Sequence, residues 1–91
     1  MKLKNKKVII TGGASGMGKA TAELFCREGA TVAIMDINKA EGEKTISQIN
    51  SNNKKAFFFH TDLRKSKEVK KSINQIVDLF GTINILFNHA G

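Results

Sequence analysis

The sequence predicts an α/β fold: a parallel sheet with helices on both faces, built in the order β-α-β-α-β-α-β. Three observations predict it. Four short apolar runs, Val8 to Thr11, Thr31 to Met35, Ala56 to Phe59 and Ile83 to Phe87, have the length and the β-branched or aromatic content of strands. Between them, apolar residues recur at three- and four-residue spacing, the period of a helix with one buried face. Each helical stretch is long enough to carry the chain back for a parallel pairing, and right-handed crossovers place such helices on both faces of the sheet. The strands read as continuous apolar runs because both faces of such a sheet are covered.

Each element has a local justification. Val8 to Thr11 ends in Gly12-Gly13, which breaks the strand. The first helix is expected to open in the Gly-rich turn near Gly16 and to stop at Gly29, with Met17, Thr21, Leu24, Phe25 and Glu28 at helical spacing. Gly29 suits a left-handed cap. The second helix is expected from Asn38, an N-cap with Glu41 three residues on, to about Asn50, burying Ala40, Ile46 and Ile49. A polar loop, NSNNKK, leads to the third strand. The third helix is expected to start at a Ser66 cap, to align Val69, Ile73, Ile76, Val77 and Phe80 on one face, and to end at Gly81. The fourth run ends at Asn88.

Ninety-one residues make one small domain, spanning 1–91, with a thin core: a chain of this size buries about 60 to 65 per cent of its unfolded surface. Hydrophobic residues at 41% and charged residues at 25% are the proportions of an ordinary globular protein. The four lysines before Val8 precede an apolar run too short for a signal peptide or a membrane span, so no membrane partner is expected. The single cysteine, Cys26, has no neighbouring His or Cys for a metal site and reads as a reduced structural thiol of a cytoplasmic protein. The net charge of +7 raises nucleic acid as a partner. The basic residues are dispersed and carry no aromatic stacking platform, so a solvated face is the preferred reading.

The stretch VIITGGASGMGKAT, Val8 to Thr21, can be parsed in two ways. From Gly13 it is G-x-x-x-x-G-K, a nucleoside-triphosphate loop lacking its last residue. That loop needs a Ser or Thr hydroxyl after the Lys to hold magnesium; Ala20 stands there, and Thr21 is about 100 degrees further round the helix. The strand VAIMD, ending at Asp36, is the one detail that keeps this parse alive. From Gly12 the stretch is G-x-x-x-G-x-G, a dinucleotide-binding turn, which asks for a strand, a turn, a helix and an acid at the end of the next strand. Gly12 permits the tight turn; Gly16 and Gly18 remove side chains where backbone approaches a pyrophosphate and where helix meets strand. The helix N-terminus supplies free N–H groups and about half a positive charge.

Asp36, 18 residues after Gly18, can accept hydrogen bonds from the adenosine ribose hydroxyls. It also repels a 2′-phosphate. Two unit charges about 4 Å apart interact by about 4 kcal/mol at an effective dielectric near 20, so even heavy screening leaves tenfold or more against NADP. Ala14, Ser15 and Ile37 supply no offsetting cation; Lys39 is the residue that could soften the preference. NAD is therefore the expected cofactor.

With TGGASGMG at Thr11 to Gly18, Asp62-Leu63 after the third strand and NHAG at Asn88 to Gly91, the whole chain resembles the short-chain dehydrogenase/reductase family. The resemblance implies a Rossmann-type fold, with Ser15 and Met17 meeting the ribose and diphosphate largely through backbone groups. It implies that Asp36 holds the adenosine ribose, that Asp62 bonds the adenine amino group and that Leu63 packs by the ring. Asn88, Ala90 and Gly91 would lie near the nicotinamide ribose and tie the fourth strand to the first. The sequence departs from the family at Asn84, commonly Asp, and at His89, more often Asn. His89 and His60 read as packing or hydrogen-bonding residues and not as acid–base catalysts.

The chemistry implied by the resemblance is hydride transfer between the nicotinamide and an alcohol or carbonyl carbon, with a Tyr, a Lys four residues on, a Ser and an Asn as its catalytic group. All of these lie beyond the N-[NH]-A-G turn, and this sequence contains no tyrosine. The chain is thus expected to be the NAD-binding portion of such an enzyme, truncated after the fourth strand, inactive alone and marginally stable, with Ile85 to Phe87 as an uncovered apolar edge. No catalytic and no metal-binding residue is assigned within it. A homo-oligomer is expected only of the complete enzyme. A non-catalytic dinucleotide-binding module stays open as the alternative, with the nucleoside-triphosphate loop as the remote one.

Overall fold

A computed structural model describes residues 2–14, 16–51 and 55–89. Four strands, β1 (Lys7–Thr11), β2 (Thr31–Asp36), β3 (Lys55–His60) and β4 (Ile85–Asn88), alternate with three helices, α1 (Gly16–Arg27), α2 (Lys39–Asn50) and α3 (Ser66–Phe80). Every pair is parallel, as the sequence predicts, and the sheet order is β3-β2-β1-β4, with β4 beside β1 as the resemblance implies.

The register sorts side chains by parity. Val8, Val32 and Ala56 lie abreast, as do Ile10 and Ile34, and these face a core completed by Ala22 and Cys26 of α1 and Ile49 of α2. Ile9, Ala33 and Met35 face the other way onto Ile76 of α3, with Phe59, Leu63, Val69, Ile73, Phe80 and Ile83 packed around them. Two helices therefore cover one face and one helix the other.

The α1 contact differs from the sequence expectation. Met17 and Leu24 are exposed, and the buried stripe is Gly18, Ala22 and Cys26 at four-residue spacing. Small residues let the helix axis approach the sheet closely, which longer side chains at these positions would prevent. Cys26 is buried as expected, its Sγ 3.8 Å from the Lys55 carbonyl oxygen. In α2, Asn38 does cap the helix, its Oδ1 accepting from Glu41 N at 3.1 Å. Ala40 is exposed, however, and the buried residues are Gly42, Thr45 and Ile49. Gly42 is there because the Phe58 ring occupies the space a Cβ would need.

The third helix begins one residue earlier than a Ser66 cap requires. Lys65 is the cap position, without a side-chain hydrogen bond, and Ser66 is the first helical residue. The first turn is tied instead to the loop before it by Glu68, whose Oε1 accepts from Asp62 N at 2.9 Å. Ile76 is fully buried, Val77 is exposed, and Gly81 closes the helix at φ 83° with its N–H on the Val77 carbonyl at 2.8 Å.

The last strand starts at Ile85, two residues later than the apolar run suggests. Asn84 explains the delay: its side-chain Oδ1 accepts from Lys7 N at 2.8 Å while its own N–H donates to the Lys7 carbonyl at 2.8 Å. A side chain has replaced one rung of the ladder. In the expected apolar edge, Ile85 and Phe87 are half-buried toward α1, where Phe87 meets Phe25 edge-on at 6.4 Å, and Leu86 is 61% exposed on the other face.

Substituting Gly42→Ala tests the α2 packing. Alanine in a helix gains about 1 kcal/mol over glycine, but overpacking costs about 1 to 3, so a net loss of up to about 2 kcal/mol is expected in urea unfolding. A gain in stability would show that Phe58 yields freely.

Candidate functional site

Because all four strands run the same way, their carboxyl ends share one edge, and the residues that follow them converge there. The chain leaves β1 through Gly12, at φ 74°, whose N–H donates to the Met35 carbonyl at 2.8 Å. Gly16 opens α1 at φ 60°, a conformation that side chains strain. Gly18 is needed for a different reason: a Cβ would collide with the Gly12 carbonyl oxygen and stand 2.8 Å from Gly13 Cα. The first turn of α1 is thus packed directly on the backbone of the turn that precedes it. The N–H groups of that first turn have no intrahelical partner and form an anion-directed surface.

Asp36, at the end of β2, reaches across to this turn. Its Oδ2 accepts from Ala14 N at 3.2 Å and its Oδ1 from Asn38 N at 2.9 Å. Among the described residues no cation stands within ion-pair distance of it. Ala14 is held on its other side by Thr45, whose buried Oγ1 donates to the Ala14 carbonyl at 2.6 Å. After β3, Thr61 is tied to Asp36 through its N–H on the Asp36 carbonyl at 2.9 Å, and its hydroxyl lies 2.6 Å from that of Ser72 on α3.

Asp62 follows and is only 8% exposed. Its carboxylate is forked by Arg64, with Nε and the backbone N–H donating to Oδ1 at 3.0 Å each and a terminal nitrogen to Oδ2 at 2.9 Å. These hydrogen bonds, the side-chain one first, hold the Asp62 carboxyl down to about 2, while the same pair raises Arg64. A cavity of about 410 Å³ opens between Gly12, Asp36, Ile37, Asp62, Leu63 and Arg64. A second, of about 350 Å³, adjoins it through Leu63 and Arg64 and extends past Met35, Val69 and Ile73 to Asn88.

On the β4 side, Thr11 Oγ1 donates to Asn88 Oδ1 at 2.7 Å, and His89 N donates to the Thr11 carbonyl at 3.2 Å. Asn88 thereby ties β4 to β1. His89 sits against the Phe87 ring at 6.3 Å, and His60 Nε2 pairs with the Ile37 carbonyl at 2.9 Å, so both histidines have structural partners. Thr21 Oγ1 donates to the Met17 carbonyl at 2.8 Å within α1. Among the described residues no group of three or more His, Cys, Asp or Glu could hold a metal ion. No helix among them is long and apolar enough to cross a membrane.

The structure therefore brings together Gly12, Gly16, Gly18, Asp36, Asp62, Leu63 and Asn88 along one edge. Met17 lies in the first turn of α1 with its side chain 67% exposed. Ser15, Ala90 and Gly91 lie outside the described residues. A sequence profile of the short chain dehydrogenases matches residues 6–91.

The chain belongs to the short-chain dehydrogenase family.

Among its relatives in that family is an uncharacterized oxidoreductase, YxbG, of Bacillus subtilis, 50% identical over 90 residues that make up 99% of this chain and 33% of that protein. The solved short chain dehydrogenase of Bacillus anthracis superposes with a TM-score of 0.90 at 40% identity, covering 98% of this chain and 36% of that one. A xylitol dehydrogenase solved with NAD+ bound superposes at 0.95 with 30% identity, over 100% of this chain and 35% of that one. The chain spans about a third of the length of the curated relatives it matches. Short-chain dehydrogenases are oxidoreductases, and a nicotinamide dinucleotide is the cofactor class that the solved relatives support.

Two participants were not marked by motif reading. Arg64 stands two residues after Asp62, where an Asp-initiated turn places the i+2 N–H on the carboxylate, and that spacing is a legible signal. Thr45 lies four residues before Ile49, on the buried stripe of α2, where a polar side chain signals a buried acceptor.

The Asp62–Arg64 pair makes a measurable prediction. A folded-state value below the unfolded one adds stability that is present above about pH 4 and lost as pH falls toward 2. Arg64→Ala should bring the Asp62 midpoint, followed by carboxyl NMR, from about 2 back toward 3.8. An unchanged midpoint would mean that another group holds the charge.

Proposed function

We propose that these residues form the NAD-binding portion of an oxidoreductase acting on an alcohol or carbonyl substrate, and that this portion binds and orients the cofactor without catalysing by itself. The observation that carries the reading is the acceptor count at the rim of the 410 Å³ cavity. An ionised carboxylate offers about four acceptor sites. Asp36 has two taken, by Ala14 N and Asn38 N, which leaves two, the number a ribose diol requires. Asp62 has three taken by Arg64, which leaves one on Oδ2, enough for the amino group of adenine.

Leu63 lines both cavities and offers an apolar flank for the adenine ring. The diphosphate would meet the start of α1 at Gly16 to Gly18, with Ser15 and Met17 contributing backbone groups, and the nicotinamide ribose would lie toward Asn88, Ala90 and Gly91. When bound, the nicotinamide supplies the hydride-accepting or hydride-donating carbon. The chain's own residues anchor the adenosine half, keep the turn open toward the diphosphate and hold β4 in register. With no tyrosine in the sequence, proton transfer at the substrate oxygen falls to a group these 91 residues do not supply.

Preference for NAD over NADP rests on Asp36, which makes no ion pair among the described residues. Arg64 lines the same cavity, but its guanidinium is committed to Asp62. Calorimetry at low salt should find NADH bound about tenfold or more tighter than NADPH, and Mg-ATP weaker than either. Asp36→Ala should pull the NADH-to-NADPH ratio toward one, with a loss of stability because the Ala14 and Asn38 N–H groups lose their acceptor. Tighter Mg-ATP binding would sink the dinucleotide reading. An unchanged ratio in Asp36→Ala would remove the ribose assignment alone.

A further inference from the structure

Among the described residues, the Thr45 hydroxyl makes the buried polar contact from α2 into the turn. Thr45 is fully buried, in the interior of a helix whose inward stripe is otherwise Gly42 and Ile49. Packing alone would accept valine at that position, which has nearly the same shape. The hydroxyl instead donates to the Ala14 carbonyl at 2.6 Å, while the Ala14 N–H is taken by Asp36 Oδ2 at 3.2 Å. Ala14 is itself only 1% exposed, so water is a poor substitute for either partner. Asp36 Oδ1 closes the arrangement by accepting from Asn38 N at the start of α2.

We propose that Thr45 is a positioning residue of the dinucleotide site: with Asp36 it clamps Ala14 from both sides and so fixes the glycine-rich turn before any ligand arrives. The inference rests on the dinucleotide reading above and adds to it a device that sets diphosphate affinity from the far side of the turn. A turn clamped at its carbonyl and its N–H has little freedom left to lose when its backbone engages an anion. A turn held by Asp36 alone must be ordered at the moment of binding, at the expense of affinity. Thr45 touches no ligand in this scheme; it acts through Ala14.

The scheme separates two halves of the ligand. Adenosine uses Asp36 and the Asp62–Leu63 corner and never reaches the turn's anion surface, whereas ADP-ribose does. Calorimetry of the chain with each compound, for the unmodified protein, Thr45→Val, Thr45→Ser and Thr45→Cys, tests it, with circular dichroism confirming the fold of every variant. Thr45→Val keeps the shape and leaves the Ala14 carbonyl unsatisfied; ADP-ribose affinity should fall about tenfold while adenosine stays within about twofold. Thr45→Ser keeps the donor and should restore ADP-ribose binding. Thr45→Cys, a weak donor of similar size, should fall between and carries the test if Thr45→Val does not fold.

Equal ADP-ribose affinity in Thr45→Val, or an equal loss for both compounds, overturns the positioning role and leaves the dinucleotide reading standing. Failure of Thr45→Ser to rescue shows that the hydroxyl is not the cause and overturns it as well. An unmodified chain that binds ADP-ribose no better than adenosine removes the diphosphate assignment itself, and the positioning role with it.

Discussion

The edge at which the strands end depends on one constraint, the in-register parallel pairing of β1 with β2 on one side and β4 on the other. Thr11 lies opposite Met35 and Asn88, and Met35 opposite Phe59, so the chain leaves each strand at nearly the same height. Parallel strands cannot be joined by tight turns, and their exits therefore collect at a single edge while the helices occupy the faces. Asp36, Asp62, Leu63 and Asn88 are exit residues or lie within a few residues of one. A one-residue slip of β2 would send Asp36 to the wrong face and empty both cores together, since side-chain direction alternates along a strand.

The two faces solve different packing problems. On the α1–α2 side the helices come close, and apart from Ile49 their buried positions are the small residues Gly18, Ala22, Cys26, Gly42 and Thr45, set against Val and Ile of the sheet. On the α3 side a single helix covers the sheet, and Phe59, Leu63, Phe80 and Ile83 fill what Ile76 leaves open. The close face is where the backbone of the turn meets the backbone of α1, so tight packing and ligand geometry are served by the same glycines. The wider face leaves room beneath Leu63 and Arg64, where the second cavity lies.

Much of this was legible. Strand content, helix order, the Asn38 cap and the Gly81 stop are local properties of short stretches, and each follows from period or turn chemistry. Helix burial was less legible. The large side chains of α1 suggested an apolar face through Met17 and Leu24, yet the buried face carries small residues, because distance to the sheet decides which side is inside. Ala40 and Ser66 misled for a related reason: the true partners, Phe58 across Gly42 and Asp62 at Glu68, come from distant parts of the chain. Asn84 reads only as a departure from the family's Asp until Lys7 is seen beside it.

For the site the division is similar but sharper. By itself the sequence determined the glycine spacing, the acid at Asp36, the Asp62-Leu63 pair and the family those features indicate, because backbone conformation and strand length are encoded within a few residues. Only the tertiary structure decided how the acceptors are shared: Asp36 between the turn and α2, Asp62 with Arg64, and the Ala14 carbonyl with Thr45. Hydrogen-bond acceptors are satisfied by whatever the fold brings within 3 Å, and residues 31 positions apart, such as Ala14 and Thr45, become neighbours only when α2 lies down beside the turn.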